Sequence, residues 1–188
     1  DTPNYLHVLG YRKVKDQKSI HVCPECNTQN TLSIIGTRIA TLNSVSVSQV
    51  LSSDLDKRGE QYRKVLEFTN DILKASGLTI VVPEYNGSMP GALKLFIDLL
   101  PYPESFEGRP ICYIGIASGQ FGALRPVEHL QQVFGYRNAY NFPKRVFVPA
   151  VHNVASCENG ITNSELRSRL AGQADDFIQF CRSLGKDI

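Results

Sequence analysis

Two short apolar runs, "LTIVVP" at 78–83 and "ICYIGIA" at 111–117, constrain this chain more than any other feature. Each is continuous and rich in β-branched residues. That pattern suits parallel strands covered on both faces. A parallel pair cannot be closed by a tight turn and needs a crossover, usually a helix. The intervening chain supplies one, with a helical pattern over 90–100.

The same alternation runs through the rest of the sequence. Further strands are expected at "SIHVC" (19–23), "VSVSQVL" (45–51) and "RVFVPA" (145–150). The second alternates polar and apolar residues, so it is expected at an edge with one wetter face. Helices are expected over 31–42, 59–76 and 124–134, followed by a last one. The 59–76 helix puts Tyr62, Val65, Leu66, Thr69, Ile72 and Leu73 on one face, with Gly77 as its stop. The 124–134 helix presents Leu124, Val127, Leu130 and Phe134, with Gly135 beyond it; Asp54 and Asp56 read as a turn. The last helix opens on a capping box, Thr162-x-x-Glu165, and carries Leu166, Leu170, Phe177, Ile178, Cys181 and Leu184. Repeated strand–helix units predict an α/β fold: an open, doubly wound parallel sheet with helices on both faces. One domain is expected over 19–188, preceded by a polar arm at 1–18 with an extra edge strand at "YLHVL".

Composition excludes several classes. With 42% hydrophobic and 20% charged residues over 188 positions, the chain reads as a soluble globular domain. A net charge of +2, with no Lys/Arg stripe, gives no footprint for nucleic acid. No apolar run reaches the length of a membrane span, and no signal-peptide pattern is seen. Cys23, Cys26, Cys112, Cys157 and Cys181 are odd in number and irregular in spacing. That argues against a disulfide framework and for a reducing, cytoplasmic location. His7, His21, His129 and His152 show no metal-ligand spacing, so each reads as structural or exposed.

In an open parallel sheet, ligands sit beyond the C-terminal strand ends. This singles out the loops 23–31, 83–91 and 117–124. The second, "PEYNGSMPG", has Gly87, Ser88 and Gly91, which let a flat ligand approach the backbone. Tyr85 offers an aromatic face, Asn86 both donor and acceptor, and Pro90 suits a first helical turn. The helix that follows is apolar almost all round, with only Lys94 and Asp98 forming a polar stripe. A helix that merely covers a sheet needs one apolar stripe, so a subunit contact is expected here. The third loop, "ASGQFGALRP", is again small and polar through Ser118, Gly119, Gln120 and Gly122.

"PEYNGSMPGALKLFIDLL" and "FEGRPICYIGIASGQFGALRPVEHLQQVF" together resemble the NAD(P)H-dependent FMN reductase family, which includes quinone, azo-dye and chromate reductases. The resemblance extends over about 60–150 and on toward the C-terminus. It implies a flavodoxin-like three-layer sandwich with a five-stranded parallel sheet of order 2-1-3-4-5. It implies that Pro83, Glu84, Tyr85, Asn86, Gly87 and Ser88 line the ring of FMN. Ser118, Gly119, Gln120 and Gly122 would close its other side. It also implies NADPH or NADH as co-substrate, a quinone-like or other small electron acceptor, and a homodimer or homotetramer built on helix 90–100. Arg125 matches the family pattern after the third loop, where it would support that loop or a subunit contact, or else serve as an ordinary surface residue.

The first loop departs from the family. There the pattern runs Gly-Ser/Thr-x-Arg-x-x-Ser-x-Asn/Thr. Here Cys23 takes the Gly position, Pro24 the Ser/Thr, Cys26 the Arg and Gln29 the Ser, while Thr31 keeps the last polar place. Pro24 has no N–H for a phosphate oxygen, and Cys26 has no positive charge. Three readings stand. Gln29 and Thr31 still bind the FMN phosphate; or the loop has lost FMN and the chain is a flavin-free interaction protein; or Cys23 and Cys26 form a redox pair or half a zinc site.

Overall fold

The structure, a computed structural model, describes residues 7–11, 21–22, 29–30, 37–41, 55–156 and 160–186. In chain order these form β1 (His7–Tyr11), β2 (His21–Val22), β3 (Gln29–Asn30), β4 (Thr37–Thr41), α1 (Leu55–Lys74), β5 (Gly77–Pro83) and α2 (Gly91–Leu99). Then follow β6 (Pro110–Ile116), α3 (Leu124–Tyr136), β7 (Tyr140–Val148), α4 (Val151–Val154), β8 (Ala155–Ser156), β9 (Gly160–Ile161) and α5 (Ser164–Ser183). The main sheet runs β4-β1-β5-β6-β7.

Strands β5, β6 and β7 are parallel neighbours, as their β-branched runs predicted. Side chains of β6 alternate across the sheet. Ile111 and Tyr113 join a core with Val65 and Ile72 of α1, Leu93 and Phe96 of α2, and Val127 and Leu130 of α3. Cys112 turns the other way, to Phe177 and Cys181 of α5. Ile114 and Ile116 also face that side, near Leu166 and Leu170. The result is three layers, α1–α3 on one face and α5 on the other.

The N-terminal part departs from expectation. The two remaining places in the sheet belong to β1 and β4, and both pairings of β1 are antiparallel. Five parallel strands in order 2-1-3-4-5 were expected, and the parallel arrangement holds for the last three. The described part of "YLHVL", residues 7–9, lies in β1, an interior strand and not an edge. Residues 37–41, expected within a helix, are strand β4. Their sequence, Thr-Arg-Ile-Ala-Thr, places β-branched residues at every second position, which favours a pleated strand. Of the expected strand 19–23, the described residues His21–Val22 form β2, which pairs with β3 in an antiparallel ribbon. The expected strand 45–51 lies outside the described residues.

Smaller corrections have local causes. Asp56 stands in the first turn of α1, not in a turn between elements. The apolar face read for α1 splits in two. Val65, Thr69 and Ile72 are buried, whereas Tyr62, Leu66 and Leu73 are 44%, 59% and 40% exposed. The missing core contact is Phe68, whose ring meets Phe96 edge-on at 6.0 Å. Helix α1 ends at Lys74, and Gly77 opens β5 instead. A Cβ at Gly77 would lie 2.8 Å from Cys181 Sγ, so close packing on α5 requires glycine there. Gly135 lies inside α3, and Asn138 at φ 58 makes the left-handed turn after it. The N-cap of α5 is Asn163, which accepts from Leu166 N at 2.8 Å, rather than Thr162. Strand β7 begins earlier than expected and includes Pro143, tolerated because β7 is an edge strand and its register with β6 shifts there. The buried Gln173 of α5 spans the irregularity, donating to Tyr113 O at 2.9 Å and Lys144 O at 3.0 Å.

Candidate functional site

The second and third loops leave the sheet side by side, because Pro83 at the end of β5 pairs with Ile116 at the end of β6. In the second, Tyr85 N donates to Ser88 O at 2.8 Å and Ser88 N donates back to Tyr85 O at 3.0 Å. The two residues between have positive φ, 50° at Asn86 and 74° at Gly87. This is the type I′ geometry, which selects Asn-Gly above other pairs. Asn86 is exposed at its tip; Glu84, Tyr85, Gly87 and Ser88 are half-buried around it.

Helix α3 braces this turn. A Cβ at Gly87 would lie 3.8 Å from Arg125 Nη1, so the guanidinium sits beside the turn. One helical turn on, His129 Nδ1 lies 2.9 Å from Ser88 Oγ. Residues four apart share a helix face, which is why one helix reaches the turn twice.

The third loop is braced from the other side. Ala150 N donates to Gly119 O at 3.2 Å and Val151 N to Ala117 O at 3.0 Å. His152 Nε2 lies 3.1 Å from Ser118 Oγ. Three consecutive residues at the start of α4 thus hold three consecutive residues of the loop. Ser118, Gly119 and Gln120 are exposed, and no atom lies within 4 Å of a Cβ placed on Gly119. Gly122, expected beside the ring, is buried instead. Its own Cβ would meet Phe147 Cβ at 2.9 Å, and a Cβ on Gly115 would meet Gly122 O at 2.4 Å. The glycines at 115 and 122 let the loop fold down onto the strand ends.

The pieces brought together are therefore Pro83–Ser88 and Ser118–Gln120. Gln29 lies in β3, paired with Val22. Thr31, Cys23, Pro24 and Cys26 lie outside the described residues. An aromatic face, a polar turn and an open glycine suit a flat ring with a polar edge, such as isoalloxazine. The fit is thus with the ring-facing part of the FMN site. Among the described residues no group of three His, Cys, Asp or Glu could hold a metal ion. Cys112 and Cys181 are buried free thiols behind the sheet. Burial pushes Cys112 up to about 12 and Cys181 up to about 11, so neither is a ready thiolate.

Sequence reasoning set His129 and His152 aside as structural or exposed. Both are exposed, yet each meets a serine of a site loop. Their partners lie 41 and 34 positions away, so spacing alone carries no signal of them.

The chain is similar to several known proteins. The family model for NADPH-dependent FMN reductase matches residues 28–153. An NAD(P)H-dependent FMN reductase of Pseudomonas aeruginosa is 30% identical over 123 residues, covering 64% of this chain and 66% of that protein, just under two thirds. A quinone reductase of Escherichia coli is 27% identical over 146 residues, 76% of this chain and 78% of that protein. Among solved structures, the flavoenzyme NAD(P)H:(acceptor) oxidoreductase of Paracoccus denitrificans superposes with a TM-score of 0.58 at 23% identity, covering 70% and 74% of the two chains. At that identity the superposition speaks for the fold alone. The family match covers well over half of the chain, and the chain belongs to the NADPH-dependent FMN reductase family, enzymes that use NAD(P)H as electron donor with FMN.

Proposed function

We propose that this protein oxidises NADPH or NADH through bound FMN and passes the electrons to a quinone-like or other small acceptor. The observation that supports the reading is the pair of braced loops side by side at the ends of β5 and β6. FMN, when bound, supplies the hydride chemistry. The chain's own contribution is position. Pro83 to Ser88 line one side of the ring, and Ser118, Gly119 and Gln120 approach the other, with Gly122 allowing that approach from beneath. The face of the bound ring left open admits donor and acceptor in turn, which is a ping-pong scheme. Gln29 and Thr31 take the phosphate end, helped by backbone N–H groups rather than by arginine.

The relatives named as quinone reductases support the acceptor class. The protein works in the cytoplasm as one flavodoxin-like domain; no helix among the described residues is long and apolar enough to cross a membrane. It assembles as a homodimer or homotetramer through α2. That helix buries Leu93, Phe96 and Ile97 in its own core and leaves Ala92, Leu95 and Leu99 partly exposed.

The altered first loop favours a second reading, a flavin-free interaction protein on the same scaffold. The triple variant Cys23→Gly, Pro24→Ser, Cys26→Arg separates them. On a working flavin site it tightens FMN binding by at least ~10-fold, because a charge-assisted bond and an N–H donor are restored. Fluorescence titration reads the change. No binding before or after the substitutions would favour the interaction protein.

A further inference from the structure

We infer that His129 and His152 are positioning residues that fix the hydroxyls of Ser88 and Ser118 toward the flavin ring. The inference rests on the flavin reading above and adds two residues to it. The backbone N–H and C=O of Ser88 are both spent on the turn to Tyr85, so its hydroxyl is the polar group left for a ligand. That hydroxyl lies 2.9 Å from His129 Nδ1. The hydroxyl of Ser118 lies 3.1 Å from His152 Nε2.

A hydroxyl has one hydrogen to give. Where the ring nitrogen accepts it, the serine offers only lone pairs to a ligand. Where the ring N–H donates, the hydrogen is free to be given onward. The tautomer of each histidine therefore decides whether its serine accepts from the ligand or donates to it. A flavin ring carries both donor and acceptor atoms along its edge, so this choice matters to how the ring is held.

Neither bond is needed to fold the loops. The second loop is closed by its own pair of backbone bonds, and the third is held by Ala150 and Val151. Both histidines are exposed, where a single neutral hydrogen bond adds little net stability. What each does add is one fixed orientation for one hydroxyl.

Different ring nitrogens make the two contacts, and this gives the test. The amide of asparagine overlays Nδ1 of histidine, and the amide of glutamine overlays Nε2. His129→Asn and His152→Gln should keep FMN affinity near that of the wild type. His129→Gln and His152→Asn should each weaken it about fivefold, as expected for one lost hydrogen bond of ordinary strength. The imidazole nitrogen shifts of the flavin-free full chain give a second readout. Ser88→Ala should move the Nδ1 signal of His129 and leave His152 alone, and Ser118→Ala should move the Nε2 signal of His152 and leave His129 alone. A wild type that binds no FMN overturns the flavin site, and this inference with it. A wild type that binds FMN, with Asn and Gln interchangeable at both positions or nitrogen shifts blind to the serines, overturns the inference alone.

Discussion

At the scale of single residues, the site depends on backbone conformations that few side chains accept. Gly87 sits at φ 74, with Arg125 beside it. A β-branched residue is strained at positive φ and would press toward the guanidinium. Gly87→Val should raise the FMN dissociation constant by at least ~10-fold, equivalent to about 1.4 kcal/mol. Unchanged affinity in a fluorescence titration would remove the turn from the site. The buried thiols make a prediction of a different kind. Both are raised by burial, to about 12 for Cys112 and about 11 for Cys181. The folded state then holds these protons more tightly than the unfolded chain. Their contribution to stability is present below the ordinary thiol value and is lost as pH rises toward 11 and 12. The melting temperature should fall across that alkaline window, and fall less in a Cys112→Ala, Cys181→Ala variant. An equal fall in both proteins would contradict the assignment.

At the scale of elements, the parallel strands were legible because burial on both faces leaves an unbroken apolar run. Helices α3 and α5 were legible from their periodicity. The first strands were not. Residues 31–42 stood where a helix was due after the first loop, yet 37–41 carries a strand pattern of Thr, Ile and Thr. There the expected alternation of elements outweighed local propensity, and the propensity was the better guide. The bracing of the loops was also hidden, since His129 and His152 reach partners far away in sequence. The turn itself was written plainly in "YNGS". Helix α2 carries the prediction at this scale. Its buried residues and the partly buried Leu99 meet the protein's own core, so Ala92 and Leu95 are what remain for a partner. In the proposed oligomer, Leu95→Glu should cause dissociation, read by sedimentation velocity, because an unpaired charge in an apolar contact is costly. An assembly that sediments unchanged would move the interface elsewhere.

At the scale of the whole molecule, the sheet divides the labour. One face carries α1–α3 and the larger core; the other carries α5 and the inert thiols. The ends of β5 and β6 carry the braced loops, which expose small and polar groups, together with the ring of Phe121, around an open glycine. Such a scaffold supplies position, while the reactivity belongs to what it binds. The claim that this chain is a working flavin enzyme therefore stands or falls on retention of the cofactor. The direct measurement is the visible absorption spectrum of the purified protein after loading with FMN and desalting. The account predicts flavin absorbance retained in roughly equimolar amount, bleached by NADPH or NADH and restored by a quinone, as expected of cofactor-borne redox chemistry. A colourless protein after desalting would contradict it.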